Sequence, residues 1–256
     1  MTILQAIILS IIEGLTEFLP ISSTGHLILA QNLLSIPSSE FSKTFNIVIQ
    51  LSAILAIIWL YRKSLFSNYK IWRQSLVAFI PTGIIGFILY QFIRDILLEN
   101  QIITVYALLI GGFALLLVDA LKKINHGVIK TKELSFQKLL LIGLFQSLSV
   151  IPGVSRSAAS IVGGLTVGMS RTEAVEFSFF LAIPTMLMAS SYDLLKSGFY
   201  LSSQEIFILF VGCVFSFLSA TIAVKSFIGF VKTNNFTAFA IYRIALAVSF
   251  LLLVIR

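Results

Sequence analysis

Six apolar runs, at about 44–61, 75–93, 103–121, 174–194, 206–224 and 237–255, each come close to the roughly 20 residues that a helix needs to cross the hydrocarbon of a bilayer. Inside lipid no water satisfies unpaired backbone groups, so runs of this length and number specify a bundle of helices. Composition leaves no room for a soluble domain: 58% of the 256 residues are hydrophobic, 11% are charged, and the mean hydropathy is +1.01. The chain reads as one all-α integral membrane domain over 1–256. No cleaved leader is expected, because Glu13 and Glu17 stand where its apolar core would be and no basic flank precedes them. The single cysteine, Cys213, excludes an intramolecular disulfide, and no Cys/His pattern suggests a metal site.

Two apolar stretches, 1–35 and 137–170, are interrupted by proline, glycine and clustered serines. Irregular backbone at membrane depth survives only where protein or a water-filled cavity satisfies it, so both read as broken, re-entrant helical hairpins lining a cavity. They resemble each other. "LPISSTG" begins at Leu19 and "IPGVSRS" at Ile151, 132 positions on, which sets Ser23 against Ser155 and Thr44-Phe45 against Glu176-Phe177. With one residue of slippage, the segment from Thr104 lies over the segment from Thr237. An internal repeat follows, about 1–125 and 133–256. Each half has three full spans, an odd number, so the second enters the membrane inverted.

Basic residues support the inversion. Arg62, Lys63, Lys70 and Arg73 follow the first span, and Lys122, Lys123, Lys130, Lys132 and Lys138 follow the third, which assigns loops 62–73 and 122–138, and with them 225–236, to the cytoplasm. The opposite loops hold Arg94 with Asp95 and Glu99, and Lys196 with Glu205. The net charge of +7 reflects these loops and suits anionic membrane lipids; without aromatic interleaving no nucleic-acid partner is expected.

The chemistry is concentrated in the broken stretches. Glu13 and Glu17, four apart, share a helix face, and two carboxylates in a poorly solvated site must share a proton, bind a cation or pair with arginine. Ser23 and His26 supply a nucleophile and an acid or base, or else a helix cap beside an incidental histidine. Arg156, between Ser155 and Ser157, opens a small-residue helix, where backbone N–H groups and a guanidinium fork suit phosphate. Ser22, Thr24 and Gly25 are the corresponding phosphate-binding candidates in the first stretch. Arg171 reads mainly as a salt-bridge residue, Arg243 needs a buried partner such as Glu176, and Asp119 and Asp193 read as solvated span ends.

"EGLTEFLPISSTGHL", "PGVSRSAASIVGG", "EFSFFLAIPTM" and "AIYR" together resemble the bacitracin-resistance type of undecaprenyl-diphosphate phosphatase over essentially the whole chain. The resemblance implies a hydrolase of the bacterial cytoplasmic membrane, open toward the outer face, that returns the lipid carrier of cell-wall synthesis from diphosphate to monophosphate. It also implies a divalent cation, Mg²⁺ or Ca²⁺, and a homodimer. Position by position, Glu13, Glu17, Ser23, His26 and Arg156 match its functional residues. The second repeat lacks the histidine, and Arg156 takes the place of Thr24.

The expected mechanism sets Arg156 and the second loop on the diphosphate of a polyprenyl lipid, with the cation near Glu13 and Glu17. Either Ser23 attacks with His26 assisting, or His26 attacks or activates water while Ser23 orients. Inverted repeats with broken helices are also the architecture of carriers, so a lipid flippase using the same residues is the rival reading.

Overall fold

The computed structural model describes residues 1–97, 100–121, 127–197 and 201–253. Glu99, Lys122 and Lys123 lie outside the described residues, as do the side chains of Arg94 and Lys196. The described chain is helical apart from its turns and one isolated bridge between Ile129 and Met169. Its principal helices are α1 (Ile3–Thr16), α2 (Ser23–Leu33), α3 (Glu40–Leu60), α4 (Tyr69–Ile88), α5 (Gln101–Ala120), α6 (Phe136–Ser147), α7 (Arg156–Thr166), α8 (Arg171–Ser197), α9 (Ser203–Val231) and α10 (Thr237–Leu253).

All six expected spans are helices. Five of them, α3, α4, α5, α8 and α9, are long and apolar enough to cross a membrane; α10 is shorter over its described residues. The largest shift of a helix start is at α4, which begins at Tyr69 rather than near 75 because Asn68 Oδ1 caps the Lys70 amide at 3.1 Å. Its first turns carry Lys70, Arg73 and Gln74, which apolar periodicity does not register. After Ile88 the winding changes, through a short turn at Tyr90–Phe92 and a π turn at Ile93–Leu97.

The two broken stretches resolve into half-length pairs, α1 with α2 and α6 with α7. Each first member packs on the fourth helix of the other half: α1 lies along α9, and α6 along α4. Glycines permit both approaches, since a methyl group at Gly14 would overlap Ser219 Oγ and the Ser216 carbonyl, and one at Gly143 the Ala78 carbonyl. Helices α3 and α8 pack against each other, and α10 packs on α5. The main core lies between them around Phe18, Phe179 and Phe227, with Phe18 and Phe179 edge to face at 5.6 Å. Outward faces are apolar, as at Leu55, Ile110 and Phe210.

Candidate active site

The turns that break the two stretches meet. Residues 17–22 leave α1, residues 151–155 follow α6, and each turn ends on a serine with left-handed backbone, Ser22 at φ 70° and Ser155 at φ 74°. Each hydroxyl then caps the helix that follows: Ser22 Oγ accepts from Gly25 N at 3.4 Å and Ser155 Oγ from Ala158 N at 3.2 Å. A non-glycine residue held at positive φ costs on the order of 1 kcal/mol, and such residues gather at functional sites.

This shared design corrects the register between the halves. Ser22, not Ser23, is the counterpart of Ser155, so Arg156 stands in the place of Ser23 rather than Thr24. The extra residue falls in the second turn, where Gly153 has φ 94° and sits so close to the Thr104 carbonyl that a side chain has no room.

Between the turns runs a chain of contacts. Ser23 Oγ donates to Glu17 Oε2 at 2.6 Å, Arg156 Nη2 donates to Glu17 Oε1 at 3.1 Å, and Arg156 Nη1 donates to the Ser178 carbonyl at 3.0 Å. The guanidinium also lies over the Phe18 ring, 5.7 Å from its centroid. Glu13, 1% exposed, lies beside Glu17; its Oε1 lacks a hydrogen-bond partner among the described residues, as does the buried Nε of Arg156. One guanidinium balances one carboxylate. The other must hold a proton or a cation, because a bare buried charge is too costly.

His26 is not joined to Ser23. Its Nδ1 lies 2.7 Å from the Ser22 carbonyl, which can only accept, so Nδ1 carries the proton and Nε2 accepts from the Tyr242 hydroxyl at 2.7 Å. The two rings stack at 5.5 Å and 7°. The expected alignment of His26 on Ser23 therefore gives way to Glu17 on Ser23, because the turn after α1 brings residue 17 back over the start of α2. Ser157 is wholly buried and donates to the Phe18 carbonyl at 2.7 Å, so it ties the turns together rather than facing a ligand. Thr24 is half-buried and its hydroxyl makes no hydrogen bond among the described residues, and Gly25 packs against Leu108.

Arg243 was expected to need a partner such as Glu176; it takes main-chain oxygens instead. Fully buried, it donates to the carbonyls of Pro20, Gly153 and Val154 in the turns and of Ala107 and Leu108 in α5, at 2.8–3.4 Å. Unwound backbone at depth leaves oxygens without donors, and one guanidinium supplies them. Gly111 leaves the space for it. Arg171 pairs with Asp119 at 3.8 Å, as a salt-bridge reading expects. Asp119 and Asp193 are not merely solvated, since they accept from Thr237 Oγ1 at 3.0 Å and Tyr90 OH at 2.7 Å. Tyr242 and Ser178 were missed by sequence reasoning; only the depth of Tyr242 beside Arg243 hinted at the first.

The family model described as bacitracin resistance protein BacA matches residues 6–249. The chain belongs to this family. Among curated BacA-like relatives, the protein named undecaprenyl-diphosphatase from Aquifex aeolicus is 48% identical over 244 residues, covering 95% of both chains. The protein of that name from Wolinella succinogenes is 49% identical over 252 residues, covering 98% of both, and that from Methanococcus aeolicus 40% over 257 residues, covering 100% of both. With five long apolar helices, this BacA family member is a multi-pass membrane protein. Both broken turns fall within the matched residues.

Proposed function

We propose that this protein hydrolyses undecaprenyl diphosphate to undecaprenyl phosphate and inorganic phosphate, recycling the lipid carrier of cell-wall synthesis and, in keeping with the family's name, conferring bacitracin resistance. The observation that carries the chemistry is the 2.6 Å contact of Ser23 Oγ with Glu17 Oε2. A hydroxyl directed at a carboxylate is a nucleophile with its base in place. Ser23 Oγ attacks the terminal phosphorus, Glu17 takes its proton, and the bond to the bridging oxygen breaks, releasing undecaprenyl phosphate. Water then cleaves the phosphoserine. Arg156, with a spare Nε–H, and the backbone N–H groups at the start of α7 bind the phosphoryl oxygens, where positioning and charge stabilisation supply most of the rate. His26, with both ring nitrogens engaged by the Ser22 carbonyl and the Tyr242 hydroxyl, acts as a positioning residue for the turn that carries Ser23.

The donor set fits a hard divalent cation, Mg²⁺ or Ca²⁺, since Glu13 Oε1 is a buried carboxylate oxygen without a partner. Among the described residues no group of three or more His, Cys, Asp or Glu could hold an ion, so phosphate oxygens and water would complete the shell around Glu13 and Glu17. Such an ion would offset the charge of the diphosphate.

The same reading gives six spans, with α10 as the sixth, and two re-entrant half-helix pairs in inverted repeats of about 1–125 and 133–256. The matched serine caps and the reciprocal packing of α1 on α9 and α6 on α4 support it. Basic loops at 62–73, 127–138 and 225–236 then face the cytoplasm, and the site opens to the outer face of the cytoplasmic membrane. A carrier of the same build would bind and release the headgroup uncleaved, and the contact of Ser23 with Glu17 would have no task in it. Purified protein in detergent, where there are no two sides, tests the choice: phosphate release from undecaprenyl diphosphate is expected, and its absence at saturating divalent metal would favour the carrier.

A further inference from the structure

Away from the candidate active site, at the end of the molecule richest in base, a cavity of about 470 Å³ opens between the C-terminal end of α3, the start of α4, the turn at 130–132 and the first turns of α8. Its walls are ordered by charge. Lys70, Lys130 and Lys132 are exposed, whereas Glu173 and Glu176 are half-buried and Gln74 is 3% exposed. Gln74 is fixed by donating to the Thr131 carbonyl at 2.8 Å, and Thr131 in turn donates from Oγ1 to Glu173 at 2.7 Å. Gln74 Oε1 is left as a buried acceptor without a partner. Glu176 makes no hydrogen bond or salt bridge among the described residues; Lys232 lies in electrostatic range without pairing with it.

At the inner wall Gln74 Oε1 and Glu176 thus meet no donor among the described residues. At the mouth Lys70 Nζ donates to the Lys132 carbonyl at 2.6 Å and Glu133 accepts only the backbone N–H of Lys130, at 3.2 Å, so three ammonium groups face one exposed carboxylate. A simple phosphate would leave Gln74 Oε1 and Glu176 unmet, and a metal ion would find no cluster of three ligands. A molecule with an ammonium at one end and a phosphate at the other meets both demands. Trp59, Phe66 and Tyr69 stand exposed around the same turn, at 56%, 84% and 80%, and Arg62 lies over the Trp59 ring at 4.4 Å. Aromatic and basic side chains in this arrangement mark the headgroup level of a membrane. We propose that this cavity binds a primary ammonium joined by a short linker to a phosphate, the headgroup of an ethanolamine phospholipid, with its amine against Glu176 and Gln74 Oε1 and its phosphate among Lys70, Lys130 and Lys132. The proposal rests on the membrane reading but not on the hydrolytic one.

The N–H donors are the discriminating feature, because the trimethylated amine of a choline lipid has the same charge and none. Purified full-length protein in neutral detergent, offered phosphatidylethanolamine, phosphatidylcholine and phosphatidylglycerol of equal chain length, is followed by native mass spectrometry. Retention of the ethanolamine lipid is expected to exceed either competitor about tenfold, the worth of a charge-assisted hydrogen bond. Glu176→Gln should abolish that margin, whereas Glu40→Gln, at an exposed carboxylate elsewhere, should keep it. Should Glu176→Gln fail to elute as a single species, the exposed pair Lys130→Ala and Lys132→Ala serves instead, with a loss of about fivefold or more. Equal retention of the three lipids, a margin unchanged in Glu176→Gln, or retention of the ethanolamine lipid unchanged in the lysine variant would overturn the proposal. Soluble glycerophosphoethanolamine should displace the bound lipid; stabilisation by the soluble compound with no lipid retained would overturn the lipid as the source. Phosphate release measured on the same samples separates failure here from failure of the hydrolytic reading.

Discussion

Ser23 Oγ points at Glu17 Oε2, 2.6 Å away, while His26, three residues further on, points at Tyr242. The serine and the histidine that share one short motif therefore answer to different partners. Glu17 is held from its other oxygen by Arg156, so removing any one of these three side chains disturbs the others, and their effects will not add.

Ser23→Ala should lower phosphate release by about 10³ or more and abolish any trapped phosphoenzyme. Glu17→Gln should be comparably slow and should blunt the response to added divalent metal. A phosphoenzyme that persists in Ser23→Ala and vanishes in His26→Ala would transfer the nucleophile to His26.

Arg156→Lys keeps the charge but loses the planar fork that spans Glu17 and the Ser178 carbonyl, so it should be nearly as damaging as Arg156→Ala. Arg171→Lys should stay within a few-fold of the parent, because its contact with Asp119 is long, at 3.8 Å. Phosphate release at saturating metal, with monodisperse elution as the folding check, separates the two arginines; the opposite ranking would move the phosphate clamp to Arg171.

Tyr242→Phe retains the stacked ring and removes only the hydroxyl on His26 Nε2. A single hydrogen bond of this kind is worth about 1 kcal/mol, so a drop in kcat of up to about tenfold with little change in KM is expected. An unchanged kcat would relieve Tyr242 of any role in holding the imidazole.

Arg243→Gln should leave the turn carbonyls of Pro20, Gly153 and Val154 short of donors, while those of Ala107 and Leu108 keep their bonds within α5, a loss of about 2–4 kcal/mol. Thermal unfolding in detergent should show a clearly lowered midpoint, and phosphate release should fall although Arg243 touches none of the groups proposed to react. A midpoint equal to the parent's would mean that water replaces the guanidinium.

A cysteine at Ser67 should resist a membrane-impermeant thiol reagent in intact cells, and one at Asn100 should react, since 62–73 is the base-rich side. The reverse pattern would turn the site toward the cytoplasm.

The long helices and the two interruptions were legible because lipid imposes a length on every span and punishes every break. Glu13, Glu17, Ser23 and Arg156 stood out for the same reason, as polar groups at depth. What was not legible depends on backbone. The start of α4 is set by Asn68 through polar turns, the counterpart of Ser155 by a left-handed serine and one inserted glycine, and the partners of Arg243 by carbonyls, which every residue has and no side-chain pattern reveals. The pairing of Ser23 with Glu17 belongs here too, since a spacing of six has no meaning on a helix and acquires one only across a turn.

The guanidinium of Arg243 gives the site an order of assembly. Pro20, Ala107, Leu108, Gly153 and Val154 all leave the ribosome before α10, yet their oxygens are gathered only by a side chain on it. A nascent chain halted ahead of residue 237 already carries Glu13, Glu17, Ser23, His26 and Arg156, without the fastener that holds their turns in place. The carbonyls of Pro20, Gly153 and Val154 thus gain their common donor only when the last helix is in place.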